Sequence, residues 1–155
     1  MANKLLWDAR PSAVELIAAD GVLKNLANAA TAISPTDVAN GTALNTHADL
    51  LLYLHDFADA PSAGGYFECH IVYEFNTTYG DGEDGDLAGT PNLTGATFVG
   101  AFPVKASKED QYIQLVGVPI GPHDFRVVLV NKCGQAIANS NGSTLNIFTY
   151  CMESQ

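Results

Sequence analysis

The densest group of side chains with potential for chemistry is an acidic loop. Asp81, Glu83, Asp84 and Asp86 place four carboxylates within six residues, among glycines. Ca²⁺ is held by several oxygen ligands, so the loop is a candidate calcium site. An EF-hand register starting at Asp81 requires Glu at position 92, where the chain has Asn92. The alternative is a solvated acidic hairpin tip. A calcium-dependent rise in melting temperature that Asp81→Ala/Asp84→Ala abolishes would separate the two interpretations.

The cysteines form the second group of reactive side chains. Cys69 and His70 are adjacent, and a thiolate activated by an imidazole is a nucleophile. Alternation along an extended segment puts the two on opposite faces, however, which argues against a dyad. Cys133 stands in a predicted turn and Cys151 near the end of the last predicted strand, and no pair has Cys-x-x-Cys spacing. We expect all three thiols to be reduced.

The histidines and glycines complete no recognised catalytic motif. No two histidines have the i, i+4 helical spacing of a zinc protease, and we expect all four at the surface or at strand edges. The chain also lacks a Gly-x-Ser-x-Gly elbow and a P-loop. Gly80-Asp81-Gly82 follows a predicted strand but opens into acidic residues, which would repel a dinucleotide phosphate. We therefore predict no metal, no cofactor and no enzymatic activity. The histidines are His47, His55, His70 and His123.

Composition limits the partners of the protein. The 155 residues include 17 acidic and 7 basic side chains, a net charge of −10 that repels a phosphate backbone and argues against direct nucleic-acid binding. A hydrophobic content of 47% is typical of a globular protein, and no apolar run approaches the roughly 20 residues of a membrane span. Lys4, Asp8 and Arg10 interrupt the apolar core that a signal peptide would need, so export by that route is not expected.

The first 40 residues predict an arm followed by short helices. Residues 1–10 form the arm, with Trp7 as its large aromatic. Ser12 and Glu15 have the spacing of a capping box, which predicts a helix beginning at Ala13. A second short helix is expected to end before Pro35, because an apolar stripe at helical spacing precedes it. The stripe consists of Leu23, Leu26, Ala27 and Ala30.

From about residue 41 the hydrophobic period changes to two, which predicts strands. Leu50, Leu52 and Leu54 share one face of the first strand, and Tyr66–Phe75 alternates most clearly. The fold class is mainly β: an antiparallel jelly roll, β-sandwich or barrel over residues 41–155, forming one domain with residues 1–40 packed on it. The strands are predicted over 48–55, 66–75, 96–102, 112–118, 125–130 and 145–150.

The end of the chain joins two β-rich runs through turn residues. Asn131 and Gly134 close the first run, and Asn141 and Gly142 precede the last. With this end, three further segments resemble small tailed-bacteriophage virion proteins of the head-decoration or cement type. The segments are 1–8 (Met-Ala-Asn-Lys to Trp-Asp), 25–28 (Asn-Leu-Ala-Asn) and 60–66 (Ala-Pro-Ser-Ala-Gly-Gly-Tyr).

The resemblance implies a structural role on a virion. Such proteins form jelly-roll or related subunits, often trimers, that bind the major capsid protein on the outer face of the capsid and reinforce it. It implies production in the host cytoplasm, residence on the capsid surface, and no membrane or nucleic-acid partner. The candidate residues for contact with other subunits or with the capsid lie in the arm and in the terminal strand. They are Leu5, Leu6, Trp7, Phe148 and Tyr150.

A receptor- or carbohydrate-binding module of a tail or fibre is the alternative. Jelly-roll lectins bind sugars through exposed aromatic side chains beside carboxylate- or amide-rich loops. Tyr79 next to Asp81 matches that description. The chain has no fibre-like repeat or coiled-coil heptad, which favours the decoration role.

Overall fold

The computed structural model describes residues 5–7, 12–76, 78–79, 93 and 95–154. The protein is mainly β, and its antiparallel sheets form a curled half-barrel. All six strands predicted from the sequence are present, with bounds within one residue of those expected. The elements are β1 (Leu5–Trp7), β2 (Val14–Ile17), β3 (Thr31–Ile33), α1 (Asn40–Ala43), β4 (His47–Leu54), β5 (Tyr66–Phe75), β6 (Thr78–Tyr79), β7 (Thr97–Pro103), β8 (Gln111–Pro119), β9 (Phe125–Asn131), β10 (Thr144–Tyr150) and β11 (Met152–Ser154).

The first sheet has the strand order β2-β10-β4-β8 and is antiparallel throughout. Its central strand β4 places Leu52 opposite Ile113 of β8 and Leu145 of β10. Leu50, Leu52 and Leu54 are at most 1% exposed, which confirms that they share the core-facing side.

The second sheet is built around β5. This strand pairs with β9 over residues 67–73 and with β7 over residues 66–71, while β3 pairs with the far side of β9 and β6 with the end of β5. Phe67, Cys69 and Ile71 are fully buried, as the alternation of β5 predicted. The core-facing sides of both sheets contribute to one cluster of buried side chains, together with Leu16, Ile17 and other residues preceding α1.

The two helices predicted before residue 35 are absent from the described residues 12–34. The helix expected from Ala13 is instead β2, an edge strand paired with β10. A capping box contributes only about 1 kcal/mol, whereas this strand gains ladder hydrogen bonds and buries Leu16 and Ile17 completely. The second helix is replaced by turns, in which Asn25 and Ala29 adopt φ of 60° and 63°. Leu23 and Leu26 of the predicted stripe are nevertheless buried.

A separate two-stranded ribbon brings the ends of the described chain together. β1 pairs with β11 in antiparallel register, Leu5 opposite Ser154 and Trp7 opposite Met152. The predicted arm is therefore joined through its backbone to the segment that follows β10.

The helix α1 is a single turn whose first residue anchors the connection between β3 and β4. Asn40 is 1% exposed, and its side-chain amide donates to the carbonyls of Asn45 and Gly121. The side-chain oxygen Oδ1 of Asn40 accepts the backbone N–H of Asn45. Among the residues described, no helix has the length and apolarity to cross a membrane.

Candidate binding surface

The side of the first sheet that faces away from the core, here called the outer face, carries an unusual density of apolar and aromatic side chains. Alternation places Leu51 and Tyr53 of β4 on this face, beside Val116 of β8 and Phe148 of β10. Val116 is 68% exposed, although an outward position in an antiparallel sheet normally holds a polar residue. The exposed apolar side chains therefore make the outer face a candidate binding surface.

A β-bulge in β8 shapes the middle of the outer face. The register shifts between Ala48 and Leu50, and Gly117 takes φ of 70°, a conformation that favours glycine. The freed N–H of Gly117 donates to Asp49 at 2.9 Å, and the Tyr150 hydroxyl donates to the same carboxylate oxygen at 3.1 Å. Asp49 is consequently only 7% exposed and adds little accessible charge to the face.

Beside this bulge lies an apolar strip formed by Leu51, Val116 and Phe148. Gln114 pairs with Leu51 from β8 and Asn146 pairs with it from β10, so neutral side chains flank the strip. The strip borders a cavity of about 160 Å³. Its lining residues are Asp49, Leu50, Leu51, Gln114, Val116 and Phe148.

Where β4 ends and β8 begins, four polar and aromatic side chains meet in what is here called the tyrosine cluster: Tyr53, His55, Asp110 and Tyr112. The Tyr53 hydroxyl donates to Asp110 Oδ2 at 2.7 Å, and His55 Nδ1 lies 3.1 Å from Asp110 Oδ1. Tyr53 and Tyr112 are cross-strand neighbours whose rings stack with centroids 4.5 Å apart and planes inclined by 19°. Tyr112 remains 70% exposed.

The backbone around the tyrosine cluster positions its side chains. The His55 N–H donates to the hydroxyl of buried Ser143. A Cβ on Gly142 would lie 2.6 Å from His55 Cγ, so a glycine is needed for the imidazole to sit there. On the other side, buried Gln111 fixes the loop before β8, since its amide oxygen accepts the Lys105 N–H and its amide nitrogen donates to the carbonyls of Lys105 and Ser107.

The chemistry of the tyrosine cluster suits binding better than nucleophilic attack. The hydrogen bond to Asp110, with a smaller effect of burial, raises the pKa of Tyr53 to about 12. Tyr53 therefore stays a protonated hydrogen-bond donor at ordinary pH and is a poor nucleophile. A cavity of about 370 Å³ adjoins the cluster. It is lined by Pro103, Lys105, Asp110, Gln111, Tyr112 and Ile113.

The sequence-predicted contact residues do not all lie on the outer face. Phe148 is half-buried in the apolar strip, whereas Tyr150 is only 8% exposed and donates its hydroxyl to Asp49. Leu5, Leu6 and Trp7 form β1, away from both main sheets in the pairing order. These contacts remain predictions.

The calcium candidates Asp81, Glu83, Asp84 and Asp86 lie outside the described residues. Within the part of the chain that the structure describes, no three His, Cys, Asp or Glu side chains are grouped so as to hold a metal ion. The calcium interpretation of the acidic loop therefore remains a prediction.

Tyr79, the aromatic side chain expected to bind sugar, is buried and already bonded to other residues of the fold. It is 7% exposed, its hydroxyl donates to Asp37 at 2.6 Å, and the Arg126 guanidinium lies 4.6 Å from its ring centroid. Burial and the bond to Asp37 raise the pKa of Tyr79. Burial alone would raise the pKa of Asp37, but hydrogen bonds from Arg126 and Tyr79 hold it below its ordinary value. This trio attaches β6 to the second sheet.

The adjacent Cys69 and His70 point to opposite faces of β5, as predicted. Cys69 lies in the core. The expectation that His70 is a surface or edge residue is wrong: it is 8% exposed and makes an edge-on contact with Phe98, with ring centroids 5.4 Å apart. Its Nε2 lies 3.5 Å from Glu68 Oε2, which is longer than a well-formed hydrogen bond. All three cysteines carry free thiols.

Comparison of the chain with protein-family models and with curated proteins finds no match.

Proposed function

We propose that this protein is a structural virion protein that decorates and stabilises a phage capsid. In this proposal it is made in the host cytoplasm, assembles as a homotrimer, and binds the major capsid protein on the outer surface of the particle. The observation that carries the proposal is the outer face, where exposed apolar side chains occupy outward positions of a sheet in a chain with net charge −10. Exposed apolar patches bordered by polar residues are typical of protein contacts.

We further propose that the fold is a jelly roll. Eight strands fall into the orders β2-β10-β4-β8 and β3-β9-β5-β7. Apart from β5 and β7, consecutive strands of this set alternate between the two sheets, which is the arrangement expected from two Greek keys folded together. This order supports the jelly-roll assignment over a simple meander. Viral capsid proteins are among the known uses of that architecture.

A second copy of this chain is the occupant proposed for the apolar strip. Two copies that each carry a charge of −10 repel one another, so a stable self-contact needs a surface with little accessible charge. The strip meets that need, because its apolar members are flanked by the neutral side chains of Gln114 and Asn146. The carboxylate that lines the adjoining cavity, Asp49, is 7% exposed and hydrogen-bonded, and the exposed Glu15 lies beyond Asn146, on the edge strand β2. Cores of protein interfaces are likewise depleted of charged side chains.

The first test is the mass of the purified protein by light scattering, combined with co-sedimentation with capsids stripped of their minor proteins. A trimer that returns to the capsid is expected. A monomer that does not co-sediment with capsids would contradict the proposal and favour the tail- or fibre-associated binding module.

The second test places a charge in the apolar strip. Val116→Asp should shift the oligomer to monomer at concentrations where the parent protein is a trimer, because a carboxylate buried in an apolar contact costs several kcal/mol, on the order of 3. The matched control is Val22→Asp, at a valine that is 44% exposed outside the strands. Val22→Asp should keep the trimer mass of the parent protein, and cooperative thermal unfolding of the Val116→Asp monomer would show that its fold is intact. An unchanged trimer mass in Val116→Asp would show that the strip is not the subunit contact.

A further inference from the structure

We propose that the tyrosine cluster is a binding site for neutral saccharides, distinct from the contact between subunits. This site is independent of the assembly role, because Tyr53, His55, Asp110 and Tyr112 lie at one end of the outer face rather than in the apolar strip.

The exposed ring of Tyr112 supplies the stacking surface. Among the described large hydrophobic side chains it has the highest exposure, 70%. One ring face is fixed by the stack on Tyr53, whose own hydroxyl is held by Asp110. A pyranose presents a face of C–H groups that packs against such a ring. Because the ring is already ordered, binding loses little side-chain entropy.

Asp110 and His55 supply the polar contacts that a sugar needs beside that ring. Each Asp110 oxygen already has one intramolecular partner and retains a second lone pair, which can accept a hydrogen bond from a hydroxyl group. The His55 ring is 43% exposed, so it is open to solvent at the same place. An aromatic platform flanked by acceptors matches the alternation of C–H and O–H groups on a saccharide.

The adjoining cavity has the size and charge for a neutral ligand. Its volume of about 370 Å³ falls within the roughly 300–1,000 Å³ of small-ligand sites. Lys105 and Asp110 both line it, and their charges offset each other. The net charge of −10 on the chain disfavours acidic sugars, so the expected ligand class is neutral.

The experiment is a glycan array carrying neutral and acidic saccharides, followed by calorimetric titration with the neutral saccharide that binds most strongly. Tyr112→Ala should weaken that binding by about tenfold or more, because the stacking surface is lost. Tyr112→Phe keeps the ring and should stay within about threefold of the parent protein. The control is Phe75→Ala, which removes an aromatic side chain that is 55% exposed on the second sheet and should leave saccharide binding unchanged.

Three outcomes would overturn the proposal: an array with no neutral saccharide bound, binding that survives Tyr112→Ala, or binding of acidic saccharides alone. If Tyr112→Ala lowers the oligomer mass and no saccharide binds, the cluster is part of the subunit contact instead. If Val116→Asp gives a monomer that still binds saccharide through Tyr112, the two surfaces are independent.

Discussion

Burial determines which individual side chains can react. Cys69 and Cys133 are fully buried, and loss of hydration on burial raises the pKa of each thiol to about 12. Cys151 is half-exposed, with its sulfur 3.8 Å from the Thr46 hydroxyl. Cys69 is thus a structural residue whose neutral form contributes to stability.

That burial predicts an alkaline loss of stability. An unfolded thiol titrates near pH 8.5, so above that pH the unfolded chain loses the Cys69 proton while the folded chain, with a pKa of about 12, keeps it. The contribution of the neutral Cys69 thiol to the free energy of unfolding is complete below about pH 8.5. It falls by up to roughly 1.4 kcal/mol per pH unit as the pH rises toward 12. Cys69→Ala should show a shallower fall in unfolding free energy between about pH 8.5 and 10.5, measured by urea titration.

The control for that measurement is Val127→Ala, which also truncates a fully buried side chain. Its free energy of unfolding should be lower at every pH, with the slope of the parent protein. Equal slopes in Cys69→Ala and the parent would contradict the assignment.

Single-residue burial was predictable only where it followed the alternation of one strand. The inward position of Cys69 follows from the pattern of β5 alone. His70 lies on the other face, and its burial depends on Phe98 from β7, which no local pattern connects to it. Tyr79 is similar, since its partners Asp37 and Arg126 are far away in sequence.

At the scale of secondary-structure elements, length decided what the sequence could predict. The six predicted strands have seven to ten residues, enough to show a period of two. β1, β2, β3, β6 and β11 have two to four residues, too few for any period, and they form because a longer partner or a distant segment completes the ladder.

The replacement of the predicted helix by β2 can be tested with two substitutions. Ser12→Ala should change the free energy of unfolding by less than about 0.5 kcal/mol, since no helix begins there for the hydroxyl to cap. Ile17→Ala should cost about 3 kcal/mol, because it truncates a fully buried side chain. Both are measured by chemical denaturation with circular dichroism. If Ser12→Ala instead lowered the free energy of unfolding by about 1 kcal/mol and reduced the helical signal, the helix prediction would be supported over β2.

At the scale of the whole molecule, the outer face could not be predicted, because it depends on which strands become neighbours. Alternation within 112–118 does place Tyr112, Gln114 and Val116 on one side. That this side lies next to Leu51 and Phe148, and faces away from the core, follows only from the order β10-β4-β8. The sequence signal for the outer face was the pair of hydrophobic side chains Tyr112 and Val116, which alternation places on the same side of one predicted strand.

Net charge predicts how assembly responds to salt. If copies associate through the uncharged strip, the remaining force between them is repulsion between chains of charge −10. Raising NaCl from about 0.1 M to 1 M shortens the screening length from about 10 Å to 3 Å. The dissociation constant of the oligomer should then fall by roughly tenfold, as measured by analytical ultracentrifugation. A rise with salt would indicate that complementary charge pairs hold the contact.

The β1–β11 ribbon makes the chain nearly circular. Leu5 and Ser154 are paired, so their Cα atoms are separated only by the width of an antiparallel ladder, about 5 Å. A short peptide linking them would close the chain, and new ends opened in the exposed bend at 106–109 would give a circular permutant with the same strand neighbours. For the same reason, two passengers fused beyond positions 5 and 154 would leave the protein from one place and point in a common direction.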